Sequence, residues 1–185
     1  MNVASYMASW CSALLMLVAS GAGASDLSTQ SRALQRASDA VVGLHAKAIE
    51  DARSSTTLGA QRQGSGVVIA PEGLVLTIGY LILEAEDVEI ATDDGRRLPA
   101  RVVAYDLATG FGLVQSLVPL QMEAAPLGEA STLNAQAPVV VVSGGEAGVV
   151  SMARLVSRRP FSGNWEYHID GALFTAPARR DHSGA

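Results

Sequence analysis

The chain has 185 residues, of which 49% are hydrophobic and 17% are charged. This balance provides enough apolar side chains for a packed core and excludes global disorder. The formal net charge of -5 argues against nucleic acid as the main partner, because surfaces that bind nucleic acid are basic.

The N-terminal segment has the pattern of an export signal. An apolar run at residues 13–18 is followed by Ala22-Gly23-Ala24, the small-x-small pattern that signal peptidases cleave. The run is too short for a spanning helix, which needs about 20 apolar residues. We predict a signal peptide at residues 1–24 and an exported chain, periplasmic or secreted, with no membrane association after cleavage. Because the segment before the run lacks Lys and Arg, an uncleaved anchor and a misassigned start codon stay open.

Cysteine usage agrees with export. The single cysteine, Cys11, lies inside the predicted signal peptide. The mature chain would therefore have no disulfide framework, no cysteine metal ligand and no cysteine nucleophile.

The first half of the chain reads as a polar, weakly helical leader followed by short strands. Short apolar runs separated by turn residues are typical of β-strands. They predict strands at residues 40–44, 66–70, 74–77, 88–92, 98–104 and 112–117. Tight turns are predicted at Pro71-Glu72-Gly73 and at Asp93-Asp94-Gly95, where glycine tolerates the required left-handed geometry. Residues 53–63 predict a mobile loop, and residues 80–87 have helical potential for about two turns.

The second half repeats this style after a long polar connection. Residues 137–143 predict a buried strand that ends at Gly144-Gly145, and residues 149–157 alternate as a second strand. A third strand is predicted at residues 165–169, ending at Asp170-Gly171. Many short strands at such spacing favour a barrel or a sandwich, so the fold class is all-β.

Four phrases in a fixed order resemble the HtrA/Deg family of trypsin-like serine peptidases. They are the Gly-Ser-Gly strand and turn at residues 64–77, the hairpin at 88–103, the Ala-Pro-Leu-Gly-Glu phrase at 125–129 and Asp-His-Ser-Gly-Ala at 181–185. The resemblance covers about residues 39–185 and implies a trypsin-like double β-barrel with the active site between the barrels. The predicted order is a leader at 25–39, a first barrel half at 40–118, an inter-barrel connection at 119–134 and a partial second barrel at 135–185.

The resemblance also assigns the three positions of a catalytic triad, two of which are changed. The family chemistry needs a serine, an imidazole that takes its proton and a carboxylate that orients the imidazole. Ser183 stands at the nucleophile position, Tyr80 at the histidine position and Gly110 at the aspartate position. A phenol titrates near pH 10 and is a poor proton acceptor at neutral pH. Ser183 thus lacks its partners, and its alternative interpretation is a simple turn serine.

The oxyanion region, Asp181-His182-Ser183, is altered as well. The resemblance implies glycine two residues before the serine, whereas this chain has Asp181, whose carboxylate opposes a developing negative charge. The sequence ends at Ala185, so we expect an incomplete second barrel with an open edge strand, through which the chain could oligomerise.

Other side chains favour structural roles. His45 is expected at the surface or at a strand edge, His168 within a strand, and His182 cannot serve its neighbour Ser183 as a base. Asp106 lies four residues before the aspartate position and would have no histidine to orient. The acidic stretch at residues 84–94 lacks the ligand spacing of a calcium loop, so we predict neither metal nor cofactor.

Two functions follow. The first is a non-catalytic relative of HtrA peptidases that binds polypeptides or another envelope protein through the inter-barrel cleft or an edge strand. The second is a serine endopeptidase of which this sequence is a truncated or frameshifted product.

Overall fold

The structure is a computed structural model that describes residues 21–145, 148–163, 167–178 and 183. The chain divides into two compact units, Met1–Leu34 and Gln35–Ala185. Most of helix α1 (Gly21–Asp39) belongs to the first unit, and its described side chains are exposed except for half-buried Ser38. No helix in the described part of the chain is both long enough and apolar enough to cross a membrane. Residues 1–20 of the predicted signal peptide lie outside the described residues, and its predicted cleavage site falls in the first turn of α1.

Six antiparallel strands close into a barrel. They are β1 (Val41–Ala48), β2 (Gln61–Ala70), β3 (Leu74–Ile78), β4 (Ala85–Ala91), β5 (Arg97–Tyr105) and β6 (Phe111–Ser116). Around the barrel they run in the order β1-β2-β3-β6-β5-β4. Each predicted strand of the first half is confirmed, although most extend beyond the predicted residues.

The barrel is held by aliphatic side chains that point inward at alternate positions. Since side chains alternate between the two faces of a strand, one residue in two faces the interior. The largest fully buried side chains come from β1, β2, β3, β4 and β6, and are Val42, Leu44, Val68, Val75, Ile90 and Val114. Each such side chain contributes about 1.5–3 kcal/mol when it leaves water.

Both predicted tight turns are present. Gly73 has φ 83° and its amide donates to Ala70 O at 3.0 Å. Gly95 has φ 82° and its amide donates to Thr92 O at 2.9 Å. Positive φ is costly for residues with a Cβ, so glycine is the favoured residue at both positions.

Two local predictions in the first half were wrong. The loop at 53–63 contains a helical turn, α2 (Ser55–Leu58), and its end already belongs to β2. The helix predicted over two turns is the single turn α3 (Gly79–Ile82). It stops there because Glu84 has φ 54°, and the backbone beyond it pairs with β1, beginning with Ile49 N donating to Glu84 O at 2.8 Å.

The described residues of the second half form an open sheet of three strands in the order β7-β8-β9. The strands are β7 (Pro138–Val142), β8 (Val150–Ser162) and β9 (His168–Ala176). β7 is half-buried rather than buried, because it lies at an edge of the sheet. β9 runs on through Asp170-Gly171 instead of ending there, and the predicted strand residue Trp165 lies outside the described residues. The predicted β architecture of trypsin type is confirmed as a mostly β fold, in which the described residues form one closed barrel and one open sheet.

The polar connection between the halves is anchored to the barrel. It contains a short 3-10 helix, Ala130–Thr132, but otherwise no regular element. Leu120 is 2% exposed and belongs to the barrel core, against which Met122 and Ala124 pack. The Ala125 amide donates to Val68 O at 2.8 Å.

The loop after β7 lies backbone to backbone against β1. A Cβ added at Gly144 would overlap the carbonyl group of Val42 and would lie 2.7 Å from Gly43 N. A Cβ at Gly43 would lie 2.7 Å from the Cα of Gly145. The Gly144 amide also donates to Ser65 Oγ at 3.1 Å. These glycines allow an approach that no side chain would permit.

Candidate functional site

Tyr80 and Ser183, which are far apart in sequence, meet through their side chains. β3 ends at Ile78 and the chain turns directly into α3, so Tyr80 stands in the first turn of this helix. The Tyr80 hydroxyl donates a hydrogen bond to Ser183 Oγ. The serine at the predicted nucleophile position is therefore bonded to a phenol.

The backbone of Ser183 is bound to β2. The Ser65 amide donates to Ser183 O at 2.7 Å, and Ser65 is 3% exposed. A Cβ at Gly64 would lie 2.7 Å from Ser183 O. This contact explains the first glycine of the Gly-Ser-Gly phrase, because a side chain at position 64 would leave no room for Ser183. Asp181 and His182 of the predicted oxyanion region lie outside the described residues.

Gly110 is covered by an aromatic ring. It has φ 74°, its amide donates to Asp106 O at 2.8 Å, and its oxygen accepts from Gly79 N at 2.6 Å. A Cβ at position 110 would lie 2.6 Å from Cγ of Tyr167. The ring of Tyr167 therefore fills the space into which a side chain at the aspartate position would project.

Three phenols gather around this point. A Cβ at Gly79 would overlap the ring of Tyr105, so α3 also packs closely on that ring. Burial raises the pKa of Tyr167, and repulsion from ionised Tyr80 and Tyr105 raises it further. Tyr105 and Tyr167 were not predicted as site residues. The glycines at 79 and 110 were the available signal, since each makes room for a ring.

Asp106 does not take the place of the missing aspartate. Its carboxylate accepts from the Thr109 hydroxyl at 2.5 Å and from the Ala108 amide at 3.0 Å. The hydrogen bond from Thr109, followed by that from Ala108, lowers the pKa of Asp106. The carboxylate is thus bound within its own turn.

The two described histidines lie in strands. His45 is half-buried in β1, which pairs with β2 and β4, so it is not at an edge of the sheet. His168 Nδ1 is 2.8 Å from Ser162 Oγ, and its Nε2 is 3.2 Å from Asp170 Oδ1, with both the histidine and the aspartate well exposed. Among the described residues, no three metal-ligating side chains cluster.

The closed barrel, the open second sheet and the serine held beside the first turn of α3 define a trypsin-type architecture. Residues 64–185 match the family model described as trypsin-like peptidase domain. The chain therefore belongs to the trypsin-like peptidase family.

Solved structures agree on the fold. A variant of the HtrA-type protease AlgW with a tripeptide is similar over 74% of this chain, at 21% identity and a TM-score of 0.61. AlgW with a tripeptide is similar over 77% of this chain, at 20% identity and a TM-score of 0.59. This chain covers 42% and 49% of those two chains, less than half their length. No curated protein matches the sequence.

Proposed function

We propose that this domain is a catalytically inactive relative of HtrA-type peptidases that binds polypeptide in the cell envelope. The observation that carries the proposal is the hydrogen bond from the Tyr80 hydroxyl to Ser183 Oγ. In a serine peptidase the group beside the serine must accept its proton. Here that group is a phenol, which at neutral pH is a far weaker base than an imidazole and is therefore poorly suited to take the serine proton.

The aspartate position supports the same conclusion. Even a histidine at position 80 would need a carboxylate to fix its tautomer and orientation. Gly110 has no side chain, and the ring of Tyr167 occupies the space where one would project. The changes at positions 80 and 110 therefore belong to one repacked site.

Polypeptide binding is supported by the open sheet and by the similar structures. In the part of the chain that the structure describes, β7 and β9 are the two edges of the three-stranded sheet. Edge strands present unpaired N–H and C=O groups, to which an extended chain, including a second copy, can add as a further strand. The two AlgW structures are each described with a tripeptide. An extended polypeptide is the partner class that both observations favour.

The proposal predicts that the purified chain does not turn over casein or peptide substrates, and that a fluorophosphonate probe leaves Ser183 unlabelled. The physical reason is the absence of a proton acceptor at Tyr80. A Ser183→Ala variant is the control, since any background hydrolysis should persist in it. Turnover that disappears in Ser183→Ala would instead establish an active endopeptidase.

Export is a second part of the proposal. The apolar run at 13–18 and Ala22-Gly23-Ala24 predict cleavage after Ala24. N-terminal sequencing of the protein from the periplasm or medium should begin at Ser25. An Ala24→Arg variant should accumulate uncleaved, because signal peptidases require a small residue there. Recovery of the intact chain from the cytoplasm would contradict export.

A further inference from the structure

A buried arginine lies behind the short helix that carries Tyr80. Arg62 is on β2 and is 5% exposed. Its guanidinium makes four hydrogen bonds, which connect the segment that precedes β2 in the sequence with the segment that contains α3. The acceptors are Gly59 O at 3.0 Å, Tyr80 O at 3.0 Å, Leu83 O at 2.5 Å and Ser54 Oγ at 2.7 Å.

Two of these acceptors are the carbonyl group of Tyr80 within the single turn of α3 and that of Leu83, the residue that follows the helix. The last carbonyls of a helix have no partner within it, and a cation there is favourable. α3 has four residues and ends at Ile82, and it is followed by extended Leu83 and by Glu84, whose positive φ prevents another turn. Arg62 Nη1 replaces that turn by donating to both Tyr80 O and Leu83 O.

The guanidinium is fixed from its other side by Ser54 and Glu84. The Ser54 hydroxyl, which accepts from Arg62 Nη2, donates to Glu84 Oε2 at 2.5 Å, and the Ser54 amide donates to the same oxygen at 2.8 Å. Burial lowers the pKa of Arg62, while the charge of Glu84 opposes that change. A planar fork held at several points is geometry that lysine does not reproduce.

We infer that Arg62 is the positioning residue of Tyr80. By holding the Tyr80 carbonyl and the end of α3, it keeps the phenol on the hydroxyl of Ser183. This inference rests on the proposed function, and it adds the residue that keeps the inactive arrangement of Tyr80 and Ser183 in place.

The test measures access to position 183 in the full chain. Cys11→Ser removes the native thiol and Ser183→Cys places one beside Tyr80, and the rate of its alkylation by iodoacetamide is then followed. Tyr80→Ala should raise this rate because it removes the phenol that contacts the side chain at position 183. Arg62→Met should raise it as well, on the order of tenfold, a coupling typical of residues in one hydrogen-bonded network.

The decisive comparison is the double variant. If Arg62 acts through Tyr80, Arg62→Met adds nothing to the rate once Tyr80→Ala is present. Equal increases in both backgrounds would mean general loosening and would overturn the inference, as would an unchanged rate in Arg62→Met. Arg101→Met, at an exposed arginine of β5, is the matched control and should leave the rate unchanged.

A folding control keeps the comparison valid. Each variant is measured well below its melting temperature, and Arg62→Lys, which keeps the charge but loses the fork, replaces Arg62→Met if the latter does not fold. Arg62→Lys should also raise the rate. Because the readout is thiol alkylation and not proteolysis, its outcome is independent of whether the native chain proves to be a peptidase.

Discussion

The double variant Tyr80→His and Gly110→Asp is expected to show no peptidase activity and to be less stable than the parent by about 2–4 kcal/mol. The cost arises at position 110, where φ is 74° and a Cβ would lie 2.6 Å from the Tyr167 ring. The aspartate therefore either displaces Tyr167 or distorts the turn. In neither case does its carboxylate reach the imidazole in a fixed orientation.

Denaturant unfolding and casein turnover measure the two parts of this prediction. Gly110→Asp in a Tyr167→Ala background is the informative companion, because the overlap with the ring is removed while the strain of positive φ remains. In the Tyr167→Ala background, we expect Gly110→Asp to lower the free energy of unfolding by roughly half as much as it does in the parent. A double variant that is as stable as the parent and cleaves casein would contradict the proposal that Tyr167 excludes a functional side chain at position 110.

Gly144→Ala is expected to lower the stability of the chain by about 3 kcal/mol, near the upper end for overpacking. The added methyl group would overlap the carbonyl group of Val42, and backbone in a paired strand cannot move aside as a side chain can. For a chain of this length, such a loss lowers the melting temperature by about 6–12 °C.

Gly128→Ala is the matched control, since a Cβ at Gly128 would have no atom within 4 Å. It should change the melting temperature by a degree or two at most, in line with other exposed sites. If Gly144→Ala and Gly128→Ala have the same melting temperature, the loop after β7 does not lie against β1.

The barrel strands could be predicted from the sequence because their burial is periodic. Val42 and Leu44, two residues apart, both face the interior. The turn glycines Gly73 and Gly95 were equally readable, since their conformation depends on adjacent residues only. Tyr80 and Ser183 were identified through the order of short phrases, and their contact is a property of the fold.

The features that were missed depend on contacts between distant parts of the chain. Nothing near Tyr167 in sequence indicates that its ring covers Gly110. Arg62 looked like one residue of a polar loop, although it is buried with four acceptors. The helix predicted from residue 80 ended early for the same kind of reason, because β1 offers pairing partners to the residues after Glu84.

The anchoring of the connection after β6 bears on how this protein can be dissected. Leu120 completes the interior of the barrel, and the Ala125 amide bonds to β2. A fragment cut directly after β6 would leave a hole where Leu120 sits and would unpair Val68 O. An expression fragment intended to isolate the barrel should therefore extend through at least residue 125.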